Sequence, residues 1–135
     1  MLYLLDTNAC IRLLKGTSIA VQRRLEANRR SDVVVCSVVK AELFYGAMRS
    51  RNPGQTFARY REFLEPFVSL PFDDESAIAY GYIRADLAAK GTLIGPNDLQ
   101  IAAIALAHNL TLITHNTAEF SRVNDLQIED WEVAV

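Results

Sequence analysis

The sequence predicts an α/β protein of three layers, α/β/α, with a central parallel sheet of about four to five strands. Short, continuous apolar runs, typical of strands buried on both faces, alternate along the chain with longer segments of helical periodicity. Parallel strands joined through helices need right-handed crossovers, which place the helices against the faces of the sheet. Because 135 residues suit one hydrophobic core, we expect a single domain over residues 1–135.

The first half of the chain contains two predicted strands, each followed by a helix. The predicted elements are a strand over residues 2–5, a short helix ending at Gly16, a helix over 18–30, a strand over 33–36 and a helix after it. We expect Thr7 and Asn8 to cap the first helix and Ser37 to cap the third, because short polar side chains accept hydrogen bonds from free helical N–H groups. Ile19 is expected to face the core.

The second half alternates in the same way. A break at 52–54 precedes a helix with Phe57 and Tyr60 on one face, and Gly95, Pro96 and Asn97 are interpreted as a turn before a buried helix. The other predicted elements are a short strand at 68–70, a long helix over 74–90, the buried helix over 98–108, a strand at 110–113, a helical turn at 117–120 and a last strand at 126–128.

Composition excludes several classes of protein. Half of the residues are hydrophobic and only six are glycine and four proline, which argues against a disordered chain. The longest apolar run, residues 101–107, is too short for a membrane span. Two cysteines are too few for a disulfide scaffold or a zinc site, so we interpret them as buried thiols in a reducing compartment. We therefore expect a cytoplasmic protein with no membrane partner.

Charge is unevenly distributed along the chain. Residues 1–65 carry 11 basic and 6 acidic side chains, whereas residues 66–135 carry 3 and 10. Eleven of the 14 basic residues are arginine, whose planar guanidinium suits bidentate contacts with phosphate. This asymmetry is compatible with nucleic-acid binding and equally with a solvated outer face of the helix over 18–30.

Acidic side chains follow three of the predicted strands or open a buried helix. Asp6 directly follows the first strand, Glu42 lies one to two turns into the next helix, Asp98 opens the helix over 98–108, and Asn116 and Glu119 follow the strand at 110–113. Because sites in parallel sheets form beyond the carboxyl ends of the strands, we expect these side chains to converge. Crowded carboxylates need a cation, and oxygen ligands without a His or Cys cluster suit Mg²⁺ or Mn²⁺.

Each of these acidic residues also has an ordinary structural interpretation. Asp6 suits a turn after a strand, and Asp98 suits the first turn of a helix, where the dipole favours a negative charge. Glu42 and Glu119 suit exposed helix positions, and both histidines are interpreted as helix-end and loop residues rather than ligands. The joint placement of four acidic residues favours the metal site.

Four segments, in this order, resemble the motifs of PIN-domain nucleases. They are Leu4-Leu5-Asp6-Thr7-Asn8, residues 37–43 with Gly46, residues 94–102, and residues 112–116 with Glu119 and Phe120. With the closing segment 126–131, the arrangement is similar to the VapC toxins of bacterial toxin–antitoxin pairs. The resemblance covers essentially the whole chain.

This resemblance implies a PIN-like α/β/α fold and a Mg²⁺- or Mn²⁺-dependent endoribonuclease. It places the catalytic and metal-binding acids at Asp6, Glu42, Asp98 and Glu119, and supporting polar groups at Thr7, Asn8, Ser37, Asn97, Thr114 and Asn116. It also implies a homodimer and a small VapB-like antitoxin as partner. The implied substrate is structured RNA, with tRNA, and by analogy the anticodon loop of initiator tRNA, as the plausible target.

Three other classes of protein are alternatives to this interpretation. A receiver-type signalling domain would have a second acid near Asp6, and an aspartyl phosphatase would have an aspartate at the position of Asn8. The stronger alternative is a PIN fold retained as a catalytically inactive protein- or RNA-binding module. The presence of Asp6, Glu42 and Asp98 argues against such a module.

The fourth acidic position departs from the commoner family pattern. Many relatives carry Asp where this chain has Asn116, whose neutral carbonyl is a weaker Mg²⁺ ligand than a carboxylate. We predict that Glu119, one helical turn further on, supplies the fourth charge through a water molecule while Asn116 orients water or substrate. The competing interpretation is a site with three carboxylates and a single ion.

Overall fold

The computed structural model describes residues 1–133, in which five strands alternate with helices as predicted. The strands are β1 (Tyr3–Leu5), β2 (Val33–Cys36), β3 (Ser69–Leu70), β4 (Thr111–Ile113) and β5 (Ile128–Glu129). The helices are α1 (Thr7–Lys15), α2 (Ile19–Ala27), α3 (Ser37–Met48), α4 (Pro53–Leu64), α5 (Asp74–Ala89), α6 (Pro96–Ala107) and α7 (Thr117–Phe120). A 3₁₀ turn, Arg30–Asp32, precedes β2. Residues 134 and 135 of the expected domain lie outside this description.

All strands pair in parallel in the order β3-β2-β1-β4-β5, so the predicted parallel sheet is confirmed. Leu4 of β1 aligns with Val34 on one side and with Leu112 on the other. These three side chains are fully buried, because the flanking helices cover the faces of the sheet. The continuous apolar runs therefore mark the central strands.

The core is formed by these strands and by the apolar surfaces of the helices. Residues 101–105 of α6 are all buried, as expected for a helix that is apolar nearly all round, and α5 and α4 pack along α6 and α3 respectively. Near the end of the chain, the buried Trp131 meets Tyr3 edge to face, with ring centroids 5.3 Å apart. Cys10 and Cys36 are free and fully buried, as predicted.

Several predicted helix boundaries were wrong. The buried helix begins at Pro96 rather than Asp98, since the first position of a helix accommodates a proline that lacks an N–H group. The second helix ends at Ala27 rather than at residue 30, and Ile19 at its start is 66% exposed rather than in the core.

The predicted caps of two helices were also wrong. Asp6, not Thr7 or Asn8, caps α1, and Ser37 is the first residue of α3 and makes no capping hydrogen bond. Gly16 does end α1 as predicted, with φ at 62° and its N–H directed at carbonyls of the last turn. Across the described residues, no helix combines the length and the apolarity needed to cross a membrane.

Candidate active site

A polar cavity lies beyond the carboxyl ends of β1 and β4, where the strand order changes direction. From β1 the chain adds β2 and β3 on one side of the sheet, and β4 and β5 later pair on the other side. The Asp6 N–H donates to the Ile113 carbonyl at 3.1 Å, so the segments that leave both strands diverge from one point. A crevice at such a switch point is where α/β sheets bind ligands.

Three of the four predicted acids and three of the six predicted supporting residues share this cavity. Its volume is about 200 Å³, and its lining consists of Asp6, Thr7, Asn8, Glu42, Asp98, Asn116 and Phe120. The first three follow β1, Glu42 comes from α3, Asp98 from α6 and the last two from the segment after β4. We call this the acidic cavity.

Asp6 is the most deeply buried of the acidic residues, with 5% of its surface exposed. Its Oδ1 accepts the Ala9 N–H at 2.8 Å, which fixes the side chain at the start of α1. Burial raises the pKa of this carboxyl to about 6, and hydrogen bonds from Thr114 and the Ala9 N–H offset part of the rise. The negative charges of Glu132 and Glu42 raise this pKa further.

Asp98 stands in the first turn of α6 with its carboxyl half-buried. Its pKa is also raised to about 6, first by burial and then by the negative charges of Glu42, Glu119 and Asp6. The Glu119 side chain is close enough to raise this pKa, which places the two carboxyl groups near each other. The cavity therefore disfavours further negative charge in the absence of a cation.

Glu42 and Thr7 connect two of the helices that surround the cavity. The Thr7 hydroxyl donates to Glu42 Oε1 at 2.6 Å, joining α1 to α3 across 35 residues of sequence. Because a carboxylate has four lone-pair directions, Glu42 keeps oxygen sites free to face the cavity.

Asn116 and Glu119 are in direct contact, with Asn116 Nδ2 donating to Glu119 Oε2 at 2.8 Å. The Asn116 N–H in turn donates to the buried Thr114 hydroxyl at 3.0 Å. Asn116 lines the acidic cavity, whereas Glu119 reaches it beside Asp98. The structure thus brings all four predicted acids into one neighbourhood.

Three predicted supporting residues do not line the acidic cavity: Thr114 is buried behind Asn116, and the other two are exposed. Ser37 is exposed in the first turn of α3, and Asn97 is exposed in a neighbouring groove that it shares with Glu42 and Tyr45.

An ionic cluster beside the cavity was missed from the sequence. His115 Nδ1 lies 2.8 Å from Asp130 Oδ2 and 3.8 Å from Glu132 Oε2, and Arg12 Nε lies 3.3 Å from Glu132 Oε1. The two carboxylates raise the pKa of His115, and the Arg12 guanidinium lies against Glu132. Three of these groups, His115, Asp130 and Glu132, are close enough to one another to hold a metal ion. Only the folding of the closing segment onto α1 creates this cluster.

The donor set of the acidic cavity fits a hard divalent cation. The groups that face it are carboxylate, hydroxyl and amide oxygens, which suit Mg²⁺ or Mn²⁺ better than zinc. Burial first, and neighbouring carboxylates second, raise the pKa of Asp6 and of Asp98 to about 6, so the ionised forms are unfavourable there without a cation. A cation would relieve this repulsion and leave an electrophilic centre in a water-accessible crevice.

The parallel five-stranded sheet with acids at its switch point agrees with the PIN-like fold that the motifs imply, and comparison with protein families shows the same family. The model of the PIN domain matches residues 3–126. Among curated proteins, the tRNA(fMet)-specific endonuclease VapC of Salmonella typhimurium is 38% identical over 129 residues, covering 96% of this chain and 97% of the relative. Ribonuclease VapC2 of Rickettsia felis is 35% identical over 133 residues, covering 98% and 99%.

Solved structures show the same similarity. A chain of the DNA-bound VapBC complex of Salmonella typhimurium superposes with a TM-score of 0.91 and 39% identity, over 97% of this chain and 99% of that one. For VapBC2 of Rickettsia felis bound to a DNA fragment from its promoter, the TM-score is 0.89 and the identity 34%, with the same coverage. The chain therefore belongs to the PIN-domain family and, within it, to the VapC ribonucleases, which confirms the resemblance seen in its motifs.

Proposed function

We propose that this protein, a single PIN domain, is a Mg²⁺- or Mn²⁺-dependent endoribonuclease that acts as the toxin of a toxin–antitoxin pair. The observation that carries the proposal is the convergence of Asp6, Glu42, Asp98 and Glu119 around one cavity at the switch point of the sheet. The names of its relatives, ribonuclease VapC2 and tRNA(fMet)-specific endonuclease VapC, support this class of reaction.

In the proposed mechanism, Asp6, Glu42 and Asp98 would hold the cation. When bound, a divalent cation activates water and neutralises charge on a scissile phosphate. Asp6 is oriented for this role by the Ala9 N–H, and Glu42 by the Thr7 hydroxyl. Asn116 orients water or substrate from the far wall, and Glu119 adds a fourth negative charge beside Asp98.

The substrate that we propose is structured RNA, cut so that translation and growth are inhibited. The name of the Salmonella relative points to initiator tRNA, and we extend that target to this chain by its 38% identity. Because tRNA is a cytoplasmic molecule, we expect the protein to act in the cytoplasm.

The proposed partner is a VapB-like antitoxin that blocks the acidic cavity with a basic side chain. Two similar structures are VapBC complexes, and a cavity of carboxylates attracts a cationic side chain. Phe57 and Tyr60 are both half-buried, and the Phe57 ring packs 4.9 Å from that of Phe44, so only part of this apolar surface is left to a partner. The antitoxin is expected to be encoded by the gene immediately upstream of the one for this chain. Co-expression of that gene should restore growth and yield a complex of the two proteins.

The proposal predicts that Asp98→Asn abolishes RNA cleavage and growth inhibition. The change keeps the shape of the side chain but removes one charge from the cation site, so we expect cleavage to fall about 100-fold or more. Cleavage of total tRNA and isothermal titration with Mn²⁺ measure activity and cation binding separately. As a matched control, Arg84→Ala on the outer face of α5 should cleave at the wild-type rate. A folded Asp98→Asn protein that cleaves RNA as fast as the wild type would refute the assignment.

A further inference from the structure

One exposed face of α3 runs outward from the acidic cavity. Tyr45 and Gly46 lie three and four residues after Glu42, and Arg49 lies four and three residues after them, which places all four along one side of the helix. Glu42 belongs at once to the acidic cavity and to two grooves that adjoin it. Both grooves therefore lead to the carboxylates.

The first groove is cationic. It has a volume of about 240 Å³ and lies between α1, α3 and α4, with Leu43 and Tyr60 among its walls and Lys15 and Arg49 as its cations. Both cations are exposed, and neither pairs with a carboxylate among residues 1–133. These two positive charges outnumber the one carboxylate in the groove, that of Glu42, and attract an anion on the way to the acidic cavity.

The second groove is suited to a planar ring. It has a volume of about 350 Å³ and is lined by Ala41, Glu42, Tyr45 and Asn97. The Tyr45 side chain is 64% exposed, and Arg49 Cζ lies 5.0 Å from its ring centroid, so the guanidinium covers one face and leaves the other accessible. An exposed aromatic face beside an amide is the combination that binds an unpaired base by stacking and hydrogen bonding.

Gly46 keeps the cationic groove open. A glycine inside a helix is less stable than an alanine, and a Cβ built at Gly46 would meet nothing within 4 Å. Packing therefore does not require this glycine. A side chain there would project into the space beside Lys15 and Arg49.

Building on the ribonuclease activity proposed above, we propose that this face of α3 is the substrate track and that it selects unpaired RNA. Tyr45 stacks on a base next to the cut and Asn97 contacts the edge of that base. Lys15 and Arg49 hold phosphates on the other side of the scissile bond. Because a paired base offers no free face, the track accepts a loop or a single strand and rejects a continuous duplex.

Binding of a fluorescein-labelled RNA stem–loop, with a blunt RNA duplex of equal length for comparison, tests the track. The full-length Asp98→Asn protein serves as parent, so that binding is measured without cleavage. Added to it, Tyr45→Ala should weaken stem–loop binding about 5- to 100-fold, and Arg49→Ala should reduce the slope of log affinity against log salt by about 0.7. Gly46→Gln should weaken binding without lowering the melting temperature, and the parent should bind the duplex poorly.

Arg84→Ala is the matched control, because Arg84 also stacks on a tyrosine, with its Cζ 5.8 Å from the ring of Tyr80, but on α5. It should bind the stem–loop as the parent does. If Tyr45→Ala and Gly46→Gln match this control, the track is refuted while the nuclease proposal stands. If Gly46→Gln disrupts only the complex with the antitoxin, the groove belongs to a protein partner and the track is likewise refuted. A wild-type protein that neither binds nor cleaves RNA would instead overturn the proposed function itself.

Discussion

At the scale of single residues, the carboxyl groups of Asp6 and Asp98 are held where their ionised forms are unfavourable. The pKa of each is raised to about 6, mainly because burial removes water from the carboxylate. Ionising these carboxyls therefore destabilises the folded protein, and the proposed cation would offset this cost. The cost should be measurable as a dependence of the free energy of unfolding on pH.

We predict that the metal-free protein loses stability as the pH rises from about 4 to about 6. In that window the unfolded chain releases the protons of these carboxyls, near its ordinary pKa of 3.8, while the folded chain retains them. Asp6 alone would contribute about 3 kcal/mol to the loss, and the half-exposed Asp98 less because solvent screens it. Urea unfolding in EDTA at pH 4.5 and 7 measures the difference, and Mn²⁺ at pH 7 should restore stability.

Asp98→Asn supplies the control for this pH dependence. The raised pKa of His115 also makes stability fall with pH, but through a higher window, and this contribution is shared by both proteins. The difference between wild type and variant thus isolates Asp98. If the free energy of unfolding of the two proteins depends equally on pH, the surroundings of Asp98 do not raise its pKa.

A second prediction concerns the fourth charge of the acidic cavity. Because Glu119 adjoins Asp98 and accepts a hydrogen bond from Asn116, Glu119→Gln should lower Mn²⁺ affinity and cleavage about 10-fold. Asn116→Asp should raise Mn²⁺ affinity, since it places a carboxylate in the wall of the cavity. Calorimetric titration and RNA cleavage of both variants provide the readouts. An unchanged Glu119→Gln protein would establish the three-carboxylate site.

At the scale of elements, the site depends on how two helices begin. Asp6 caps α1, and Asp98 lies in the first turn of α6, so the starts of these two helices place both carboxyls in the lining of the acidic cavity. At its other end, α1 stops at Gly16, which adopts a left-handed backbone conformation.

We predict opposite effects on stability for two glycine substitutions. Gly16→Ala forces a side chain into φ of 62° and should lower the free energy of unfolding by about 1–2 kcal/mol. Gly46→Ala, inside α3 with open space around it, should raise that free energy by about 0.5–1 kcal/mol. Thermal unfolding of both variants measures the signs. A stabilising Gly16→Ala change would contradict the role of Gly16 as the end of α1.

At the scale of the whole molecule, an apolar surface on α5 is left uncovered. Ile78 and Tyr82 are 59% and 77% exposed, and Tyr82 adjoins a hollow of about 340 Å³ that includes Leu106. An exposed patch of this kind is typical of an interface between proteins. The homodimer that the resemblance implies stays a prediction, and we predict that this face of α5 lies at its interface.

We predict that Tyr82→Glu converts the dimer into a monomer. A carboxylate placed at the centre of an apolar interface would lose its hydration without gaining a partner, which weakens association. Light scattering coupled to size exclusion gives the mass of wild type and variant. Tyr45→Glu, at another exposed tyrosine, on α3, should remain dimeric. A monomeric wild type would contradict the homodimer, and a dimeric Tyr82→Glu would move the interface elsewhere.

The sequence by itself determined the alternation of strands and helices and the residues that follow the strands. The strand Val33–Cys36 and the helical turn Thr117–Phe120 have the bounds that their patterns predict, and Asp6 stands where the first apolar run stops. These features depend on periodicity, turn residues and burial within short segments, which a linear pattern records directly.

The tertiary structure alone decided what meets in space. β4 lies beside β1 although more than 100 residues separate them, and that pairing sets Asn116 and Glu119 next to the acids of earlier segments. The Thr7–Glu42 hydrogen bond and the ionic cluster of His115 arise in the same way. A local pattern holds no information about strand order, so the sequence could name the acids but not their contacts. Likewise, the exposure of Tyr45 and Ile19 depends on which helix faces their neighbours cover, and this is settled only when the core packs.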